Sequence, residues 1–387
     1  MSKTIFITHA DLGSKKNLKS SEATKIIEYL KPEVVFCRDY DDFEIEGVSL
    51  NKFLPFGDFI PKSFNYLNIK TEISLFSTLN YALIDFSIKR KFDKIIQSGD
   101  VVLIHNPYFA PSILNNTSKN YTTIIFHGSM LLKTNEDIYL NLCKEEKIEP
   151  TVKFDKSYDD VLKYGDKIIC YSENSKENLI KNGFEKENIE IIHLGSDAKN
   201  IKLKKNWDKV ISKKLRLLCV ADFTLMKGLQ YLLIAYRNLL NEGYDVSLTL
   251  VGSLTLDVRK LVERDFKDIE KKVNFVGHAN PIKYYQNSDV FIFPSFTEGL
   301  PRVMLEAASY GLVLISTEVF PLIENNVSGI IIKKGSSNEI EDAVKSLFSD
   351  KKRVVKLKRA SRKLAEKNDW DLFGKNLVKY VKKIKNG

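Results

Sequence analysis

Cysteine is scarce in this 387-residue chain and follows no recognisable pattern. The four cysteines are scattered, with neither a C-x-x-C pair nor a histidine at metal-ligand spacing. This argues against a disulfide scaffold and against a zinc module. Isolated thiols also fit a reducing compartment better than an oxidising one.

Long apolar segments are missing as well. Runs such as 101–104 are brief, far short of the roughly 18 residues that indicate a membrane span. The first residues lack the apolar stretch and cleavage site of a signal peptide. The composition, 43% hydrophobic and 28% charged, is that of a globular protein, and the length predicts two domains. We therefore predict a soluble, cytoplasmic protein.

Positive charge is concentrated at one end of the chain. Residues 351–387 hold fourteen Lys or Arg and three acids, so this segment carries more net charge than the +10 of the whole chain. No zinc finger, RRM signature or helix-turn-helix pattern accompanies the lysines, and we predict no nucleic-acid partner. A solvated helix face is the ordinary interpretation of such lysines, and contact with an anionic membrane surface is the alternative.

Short apolar runs alternate with helical stretches in two successive halves. This alternation predicts an α/β fold of two doubly wound, Rossmann-like domains with parallel sheets. Ligands of such sheets bind beyond the carboxyl ends of the strands, so we expect the site in the cleft between the domains. The predicted strands cover residues 3–9, 34–37, 101–105, 122–127, 167–171, 189–193, 215–221, 246–251, 273–276, 290–293, 313–316 and 330–332.

A polar, lysine-rich stretch separates the two halves. We place the first domain at residues 1–197, the linker at 198–214 and the second domain at 215–370. The last helix, predicted at 371–387, is expected to pack back on the first domain. A further helix is predicted to be opened by Ser20 and to end at residue 30, since serine is a favoured capping residue.

The most informative segment is 293–307. A buried strand runs into a tight turn at Gly299, and a helix is predicted to begin at Pro301, because proline suits the first helical position. The free backbone amides of the first helical turn, from Arg302 and Val303 onward, would face the cleft with the positive end of the helix. This arrangement predicts an anion site suited to a phosphate.

Two glutamates flank this predicted phosphate site. Glu298 lies in the turn and Glu306 on the second turn of the helix, so both carboxylates can accept hydrogen bonds from the hydroxyl groups of one ligand. A phosphate site between two such carboxylates fits a sugar nucleotide. A capping acid and a surface glutamate on an ordinary helix are the alternative interpretation.

The segment and its surroundings resemble the family 4 glycosyltransferases, which are retaining enzymes with the GT-B fold. Glu298 and Glu306 match the E-x7-E signature of that family. The resemblance runs through 219–348 and thins upstream, where 168–172 and 188–197 are similar to the end of the family's first domain. The other matching segments are Lys227-Gly228, 248–252, 273–278, 287–289 and 325–329.

The resemblance implies a role for each matching residue of the second domain, which would bind the donor. Glu306 would bind the ribose hydroxyls, and Glu298 would bind the transferred sugar together with the backbone of Gly299 and Leu300. Lys227 would neutralise the leaving diphosphate, so we expect no cofactor and no obligatory metal. The other implied donor-binding residues are Gly252, His278, Arg302 and Val303.

The resemblance also implies residues of the first domain, which would bind the acceptor. His127, at the end of a predicted strand, matches the family's histidine near the sugar, and a structural histidine at a strand end is the alternative. His105 and His193 are secondary candidates. Gly13 lies in a loop that is richer in glycine in many relatives, and it is a candidate for contacting the donor phosphate or the acceptor.

One position departs from the family pattern. Asp222 stands where the family usually places an arginine beside the diphosphate. Either another cation such as Arg302 substitutes for that arginine, or Asp222 faces away from the ligand. A binding or scaffolding protein that keeps the fold without turnover is therefore the alternative function. The D-x-D triplets at 39–41 and 369–371, a metal-binding pattern in other glycosyltransferases, are interpreted as loop or cap acids.

The sequence thus predicts a retaining glycosyltransferase with a UDP- or GDP-linked sugar as donor. The expected acceptor is a glycan or lipid-linked glycan of cell-envelope polysaccharide, lipopolysaccharide or capsule synthesis. Peripheral contact with the inner face of the cytoplasmic membrane would involve the basic C-terminal helices. Sugar-nucleotide epimerases and sugar phosphorylases share the fold, and a product assay distinguishes them from a transferase.

Overall fold

Two parallel sheets form the framework of the protein. The computed structural model describes residues 2–8, 10–12, 18–40, 44–52, 74–105, 107, 110–155, 157–203 and 214–386. In chain order the strands are β1 (Thr4–Ile7), β2 (Asp11–Leu12), β3 (Val34–Cys37), β4 (Asp39–Tyr40), β5 (Ser49–Lys52), β6 (Val101–Ile104), β7 (Thr122–His127), β8 (Lys167–Cys170), β9 (Ile189–Ile191), β10 (Leu215–Val220), β11 (Val246–Val251), β12 (Val273–Gly277), β13 (Val290–Phe293), β14 (Val313–Ser316) and β15 (Ile330–Ile331).

Each sheet has the strand order of a doubly wound domain. The N-terminal sheet runs β5-β3-β1-β6-β7-β8-β9 and the C-terminal sheet runs β12-β11-β10-β13-β14-β15. All neighbouring strands within each sheet are parallel, and β2 and β4 form a separate parallel pair. The predicted fold class, two doubly wound α/β domains, is confirmed.

The helices connect the strands and cover the sheets. They are α1 (Leu18–Leu30), α2 (Ser74–Phe92), α3 (Pro111–Leu114), α4 (Leu132–Glu145), α5 (Ser157–Leu162), α6 (Glu173–Lys181), α7 (Leu229–Asn241), α8 (Leu256–Asp265), α9 (Ile282–Tyr285), α10 (Arg302–Ser309), α11 (Ser337–Ser349), α12 (Lys351–Lys367) and α13 (Trp370–Asn386). In β1, Phe6 packs in one apolar cluster while Ile5 and Ile7 pack in another, because successive side chains of a strand point to opposite faces. Apolar groups therefore cover both faces of the N-terminal sheet.

Several predicted boundaries are confirmed and two helix starts are wrong. The strands predicted at 34–37, 122–127, 246–251, 290–293 and 313–316 match β3, β7, β11, β13 and β14. Helix α1 begins at Leu18, so Ser20 lies inside the helix and does not open it. Helix α10 begins at Arg302, and Pro301 takes the capping position with φ −70° and ψ 106°. That extended ψ excludes Pro301 from the helix, although the residue stands next to the first turn.

The last helix, α13, packs against α1 of the N-terminal half. The Tyr29 hydroxyl donates to Asp371 Oδ1 at 2.6 Å, and a Cβ on Gly374 would overlap the Tyr29 ring. Lys385 Nζ donates to the Ser2 carbonyl at 2.8 Å. Residues 204–213 of the predicted linker lie outside the described residues.

Some of the C-terminal positive charge has a structural role. The buried guanidinium of Arg362 in α12 donates to the carbonyls of Ser309, Ala198 and Ile201. Other basic residues of the two last helices are exposed, namely Lys351, Lys352, Lys356, Arg359, Lys363, Lys367, Lys375, Lys379, Lys382 and Lys383. Over the described ranges, no helix combines the length and the apolar character needed to cross a bilayer.

Candidate functional site

The carboxyl ends of the two sheets meet at a pair of glycines. Gly299 lies so close to Gly128, the residue after β7, that a Cβ on Gly299 would overlap the Gly128 carbonyl oxygen. The Ser172 hydroxyl, just after β8, donates to the Gly299 carbonyl at 2.5 Å. Thr297 Oγ1 also donates to Asn135 Oδ1 at 2.8 Å. The turn after β13 is therefore joined directly to the N-terminal domain, and the predicted interdomain cleft is the place where they meet.

A close ion pair joins this turn to the segment that follows β10. Lys227 Nζ is 2.5 Å from Glu298 Oε1, and the Ser295 hydroxyl donates to the same carboxylate oxygen at 2.8 Å. The two charged side chains are only 23% and 15% exposed. Two residues far apart in the sequence thus form one partly buried charged group at the cleft.

Helix α10 begins directly after the same turn. Leu300 is buried and Val303 is partly buried, which anchors the turn and the first helical residues. The capping residue Pro301 makes no side-chain hydrogen bond to this helix, and the amides of a first helical turn point toward the positive end, where an anion can bind. The one-residue shift of the helix start leaves the predicted position of these amides unchanged.

Glu306 is held by a tyrosine that the sequence analysis did not select. Tyr285, at the end of α9, is almost fully buried, and its hydroxyl donates to Glu306 Oε2 at 3.0 Å. Burial and the neighbouring Glu306 raise the pKa of Tyr285 well above its usual range, so it remains a hydrogen-bond donor. This contact holds Oε2 in place, and among the described residues no donor is seen at Oε1.

Gly252 and His278 lie together beside the carboxyl end of β11. The Gly252 amide donates to the Gly277 carbonyl at 2.8 Å, which brings the His278 turn next to Gly252. Gly252 has φ 134°, and a Cβ there would overlap the Ala221 carbonyl oxygen, so only glycine fits. His278 is exposed. These residues line the same sheet edge as Lys227.

His127 ends β7 on the opposite side of the cleft. It is fully buried, and neither ring nitrogen has a hydrogen-bond partner among the described residues. Burial lowers the pKa of His127 to about 4, so the ring is neutral at physiological pH. Unpaired buried polar atoms are rare in folded proteins, and this pair lies one residue from the Gly128–Gly299 contact.

Asp222 and Arg302, the two residues considered at the missing family arginine, lie in different surroundings. Asp222 is exposed. The positive charge of Arg302 acts on Glu22 and Tyr171 of the N-terminal domain, so this guanidinium lies near the N-terminal side of the cleft. Gly13 lies outside the described residues. The structure therefore brings together Lys227, Glu298, Gly299 and His127.

The remaining candidates have structural contacts. His193 Nδ1 lies 2.8 Å from the Tyr171 carbonyl. Asp369 Oδ1 accepts from the Leu372 amide at 2.8 Å, as expected of a cap acid at the start of α13. Asp41 of the other triplet lies outside the described residues. Within the described part of the chain, no three His, Cys, Asp or Glu side chains converge as metal ligands.

The chain is similar to known proteins in sequence and in fold. Residues 201–364 match the family described as "Glycosyl transferases group 1". The capsular polysaccharide biosynthesis glycosyltransferase CapM of Staphylococcus aureus is 29% identical over 199 residues, covering 47% of this chain and 52% of CapM. The amylovoran biosynthesis glycosyltransferase AmsK of Erwinia amylovora is 25% identical over 286 residues, covering 70% of this chain and 66% of AmsK. This chain thus spans about half the length of CapM.

A solved structure extends the similarity to the whole chain. HepE of Anabaena, determined in complex with UDP, has a TM-score of 0.68 and 14% identity, covering 98% of this chain and 100% of HepE. At this identity the likeness concerns the fold alone, and it includes both domains. Residues 201–364 thus match the group 1 glycosyl transferases, and the two doubly wound domains have the GT-B fold.

Proposed function

We propose that the chain is a retaining, family 4 glycosyltransferase that moves a sugar from a UDP- or GDP-linked donor to a glycan or lipid-linked glycan. The observation that carries this proposal is the Lys227–Glu298 pair, whose glutamate lies in the turn that touches Gly128 beside His127. Capsular polysaccharide and amylovoran synthesis, named for the two relatives, support an acceptor of cell-envelope polysaccharide, lipopolysaccharide or capsule synthesis.

Lys227 would stabilise the leaving diphosphate. In the free protein its ammonium group is paired with Glu298, and a bound diphosphate would compete for that charge. Negative charge that develops on the leaving group would meet Lys227 and the positive end of α10. Glu298 would then be free to accept hydrogen bonds from the transferred sugar. The proposal assigns no step to a metal, and transfer that persists in EDTA is its test.

His127 would complete the sugar site from the other domain. Its two buried ring nitrogens are unpaired, and its low pKa keeps one nitrogen as a donor and one as an acceptor. A hydroxyl group of the sugar could satisfy either nitrogen. The close approach of Gly299 to Gly128 keeps this histidine next to Glu298 and its sugar subsite.

The location that we propose is the cytoplasm, at the inner face of the membrane. A lipid-linked acceptor would be presented at that surface. The exposed lysines and arginines of α12 and α13 would be attracted to anionic lipids. Co-sedimentation with vesicles of anionic and of neutral phospholipid tests this part, and equal binding to both would contradict it.

A thermal-shift panel with UDP, GDP, ADP and CMP tests the donor site. A nucleotide at about 100 times its dissociation constant stabilises by about 2.7 kcal/mol, which raises the melting temperature by several degrees. The shift should occur in the wild type, vanish in Glu306→Gln and persist in Glu242→Gln, whose carboxylate pairs with Lys345 elsewhere on the domain. The absence of a shift with every nucleotide would favour the scaffolding alternative.

The stereochemistry of the product tests retention. With the nucleotide sugar chosen from the panel, the anomeric configuration of the product is read by NMR before it can mutarotate. Retention gives the configuration of the donor. An inverted product, or an epimerised or phosphorylated sugar, would overturn the proposed reaction.

A further inference from the structure

A buried carboxylate in the N-terminal domain has no role in the donor site. Glu22 of α1 is 8% exposed. It lies where three strands end, since His105 follows β6, Tyr171 follows β8 and Thr8 follows β1. The carboxyl ends of parallel strands are where this fold binds ligands. Glu22 is therefore a carboxylate at the acceptor half of the cleft.

The hydrogen bonds of Glu22 are asymmetric. Oε1 receives the Tyr171 hydroxyl and lies 3.2 Å from His105 Nε2. His105 is in turn oriented by Thr8, whose Oγ1 lies 3.2 Å from its Nδ1. From the described residues, Oε2 receives no hydrogen bond. One oxygen of the carboxylate is thus fixed in place and the other remains for a ligand.

The surroundings determine which chemical group could bind there. Burial opposes ionisation of Glu22, but the nearby His105, the hydrogen bonds from His105 and Tyr171 and the charge of Arg302 together lower its pKa. The group is therefore an anion at neutral pH that can only accept hydrogen bonds. The opposite charges of Glu22 and Arg302 offset each other, so the pair as a whole favours neither a cationic nor an anionic ligand. A neutral donor, such as a sugar hydroxyl, is the ligand that fits.

Glu22 also lies close to the expected position of the transferred sugar. A Cβ on Gly128 would lie 2.9 Å from the Tyr171 ring, and the Gly128 carbonyl lies against Gly299. Ser172, the next residue after Tyr171, donates to the Gly299 carbonyl. Gly128 contacts the Glu298-Gly299 turn, and Tyr171 contacts both Gly128 and Glu22. Two residues in contact therefore connect that turn to Glu22.

We propose that Glu22 binds a hydroxyl group of a sugar acceptor through Oε2, with His105 and Tyr171 as positioning residues. The inference rests on the proposed function and adds an acceptor-specificity residue to it. Glu22 would orient the acceptor and would take no part in the bond changes at the anomeric carbon. Its loss should therefore affect the acceptor and leave the donor unaffected.

The test separates donor from acceptor kinetics in Glu22→Gln. The probes are the nucleotide sugar selected by thermal shift and the benzyl α- and β-glycosides of glucose, galactose and N-acetylglucosamine. Nucleotide affinity and slow donor hydrolysis should stay within about twofold of wild type, while kcat/KM for the best glycoside falls about tenfold to a hundredfold, mainly through KM. Glu28→Gln is the matched control, because Glu28 is an exposed residue of the same helix that pairs with Lys25.

Tyr171→Phe provides a second variant in case Glu22→Gln fails to fold. It keeps the carboxylate and removes one positioning hydrogen bond, so a smaller rise in the acceptor KM is expected. An unchanged acceptor KM in the folded variants would overturn the inference, as would equal losses of donor and acceptor binding. Failure of the wild type to transfer to any glycoside while hydrolysing the donor would also overturn it. Failure of the wild type to bind any nucleotide would instead contradict the proposed function.

Discussion

The two sides of the cleft differ in how their chemical groups are distributed along the chain. On the C-terminal side, Lys227, Glu298 and Glu306 belong to two short segments, each a strand end followed by a turn and a helix. On the N-terminal side, Glu22 and His127 come from separate elements about a hundred residues apart. The C-terminal half of the candidate site is thus encoded locally, whereas the N-terminal half exists only after the sheet has formed.

The largest effect that would sharpen this comparison is expected from Lys227→Met. If Lys227 stabilises the leaving diphosphate as proposed, removal of its ammonium group should lower the rates of donor hydrolysis and of transfer by about 10² to 10³. The release of nucleoside diphosphate is the measurement. Lys345→Met is the control, because Lys345 forms an ion pair of similar length, 2.7 Å, with Glu242 on the same domain. Similar rates in the two variants would show that Lys227 has no role beyond an ordinary ion pair.

The contact between the two sides can be broken by Gly299→Ala. The new Cβ would overlap the Gly128 carbonyl oxygen, so the domains must move apart and the sugar subsite loses its alignment with His127. A displacement of the reacting groups by about 1 Å lowers the reaction rate roughly a hundredfold. We expect the affinity for the nucleotide to change far less. Steady-state kinetics and a nucleotide titration measure the two effects.

Gly183→Ala is the control for the cost of the added methyl group. Gly183 has φ 89° and open space around it, so alanine there should cost about 1 kcal/mol of stability and leave transfer intact. Wild-type rates in Gly299→Ala would mean that the two domains do not need this contact during the reaction.

The same comparison explains what the sequence could and could not predict. Strands such as Thr122–His127 and Val290–Phe293 are continuous apolar runs between polar residues, and their bounds were predicted correctly. Glu298 and Glu306 were found because the turn and helix between them fix their spacing. No sequence pattern marked Tyr285 or Glu22. Each is a single polar residue in a helix, and its hydrogen-bond partner comes near only through tertiary packing. Pro301 was misplaced by one residue because proline fits both the capping and the first helical position.

A pH series tests the buried state of His127 on the N-terminal side. Its pKa is about 4 in the folded protein and about 6.5 in the unfolded chain. Between these values the unfolded state binds the extra proton, so stability decreases as the pH falls through this window. At pH 5 the wild type should have lost about 2 kcal/mol from this group alone. Denaturant unfolding at pH 7.5 and pH 5 should show this loss in the wild type and its absence in His127→Asn.

His278→Asn serves as the control for that series. His278 is exposed, so its replacement should leave the pH dependence of unfolding as in the wild type. The pH dependence that Glu22 contributes is present in all three proteins and cancels in the comparison. Equal pH dependence in His127→Asn and the wild type would show that His127 is accessible to protons in the folded state.

The smallest effect is expected from Tyr285→Phe on the C-terminal side. Loss of the hydroxyl removes the hydrogen bond that orients Glu306, and nucleotide affinity should fall about threefold to tenfold, since a hydrogen bond contributes about 1 kcal/mol. Tyr236→Phe is a matched control, because that equally buried hydroxyl donates to the Lys272 carbonyl at 3.0 Å. Both variants should lose similar stability, and only Tyr285→Phe should lose affinity in a nucleotide titration. Equal affinities would mean that Glu306 needs no support from Tyr285, and the C-terminal half of the candidate site would then depend on even fewer segments of the chain than the structure indicates.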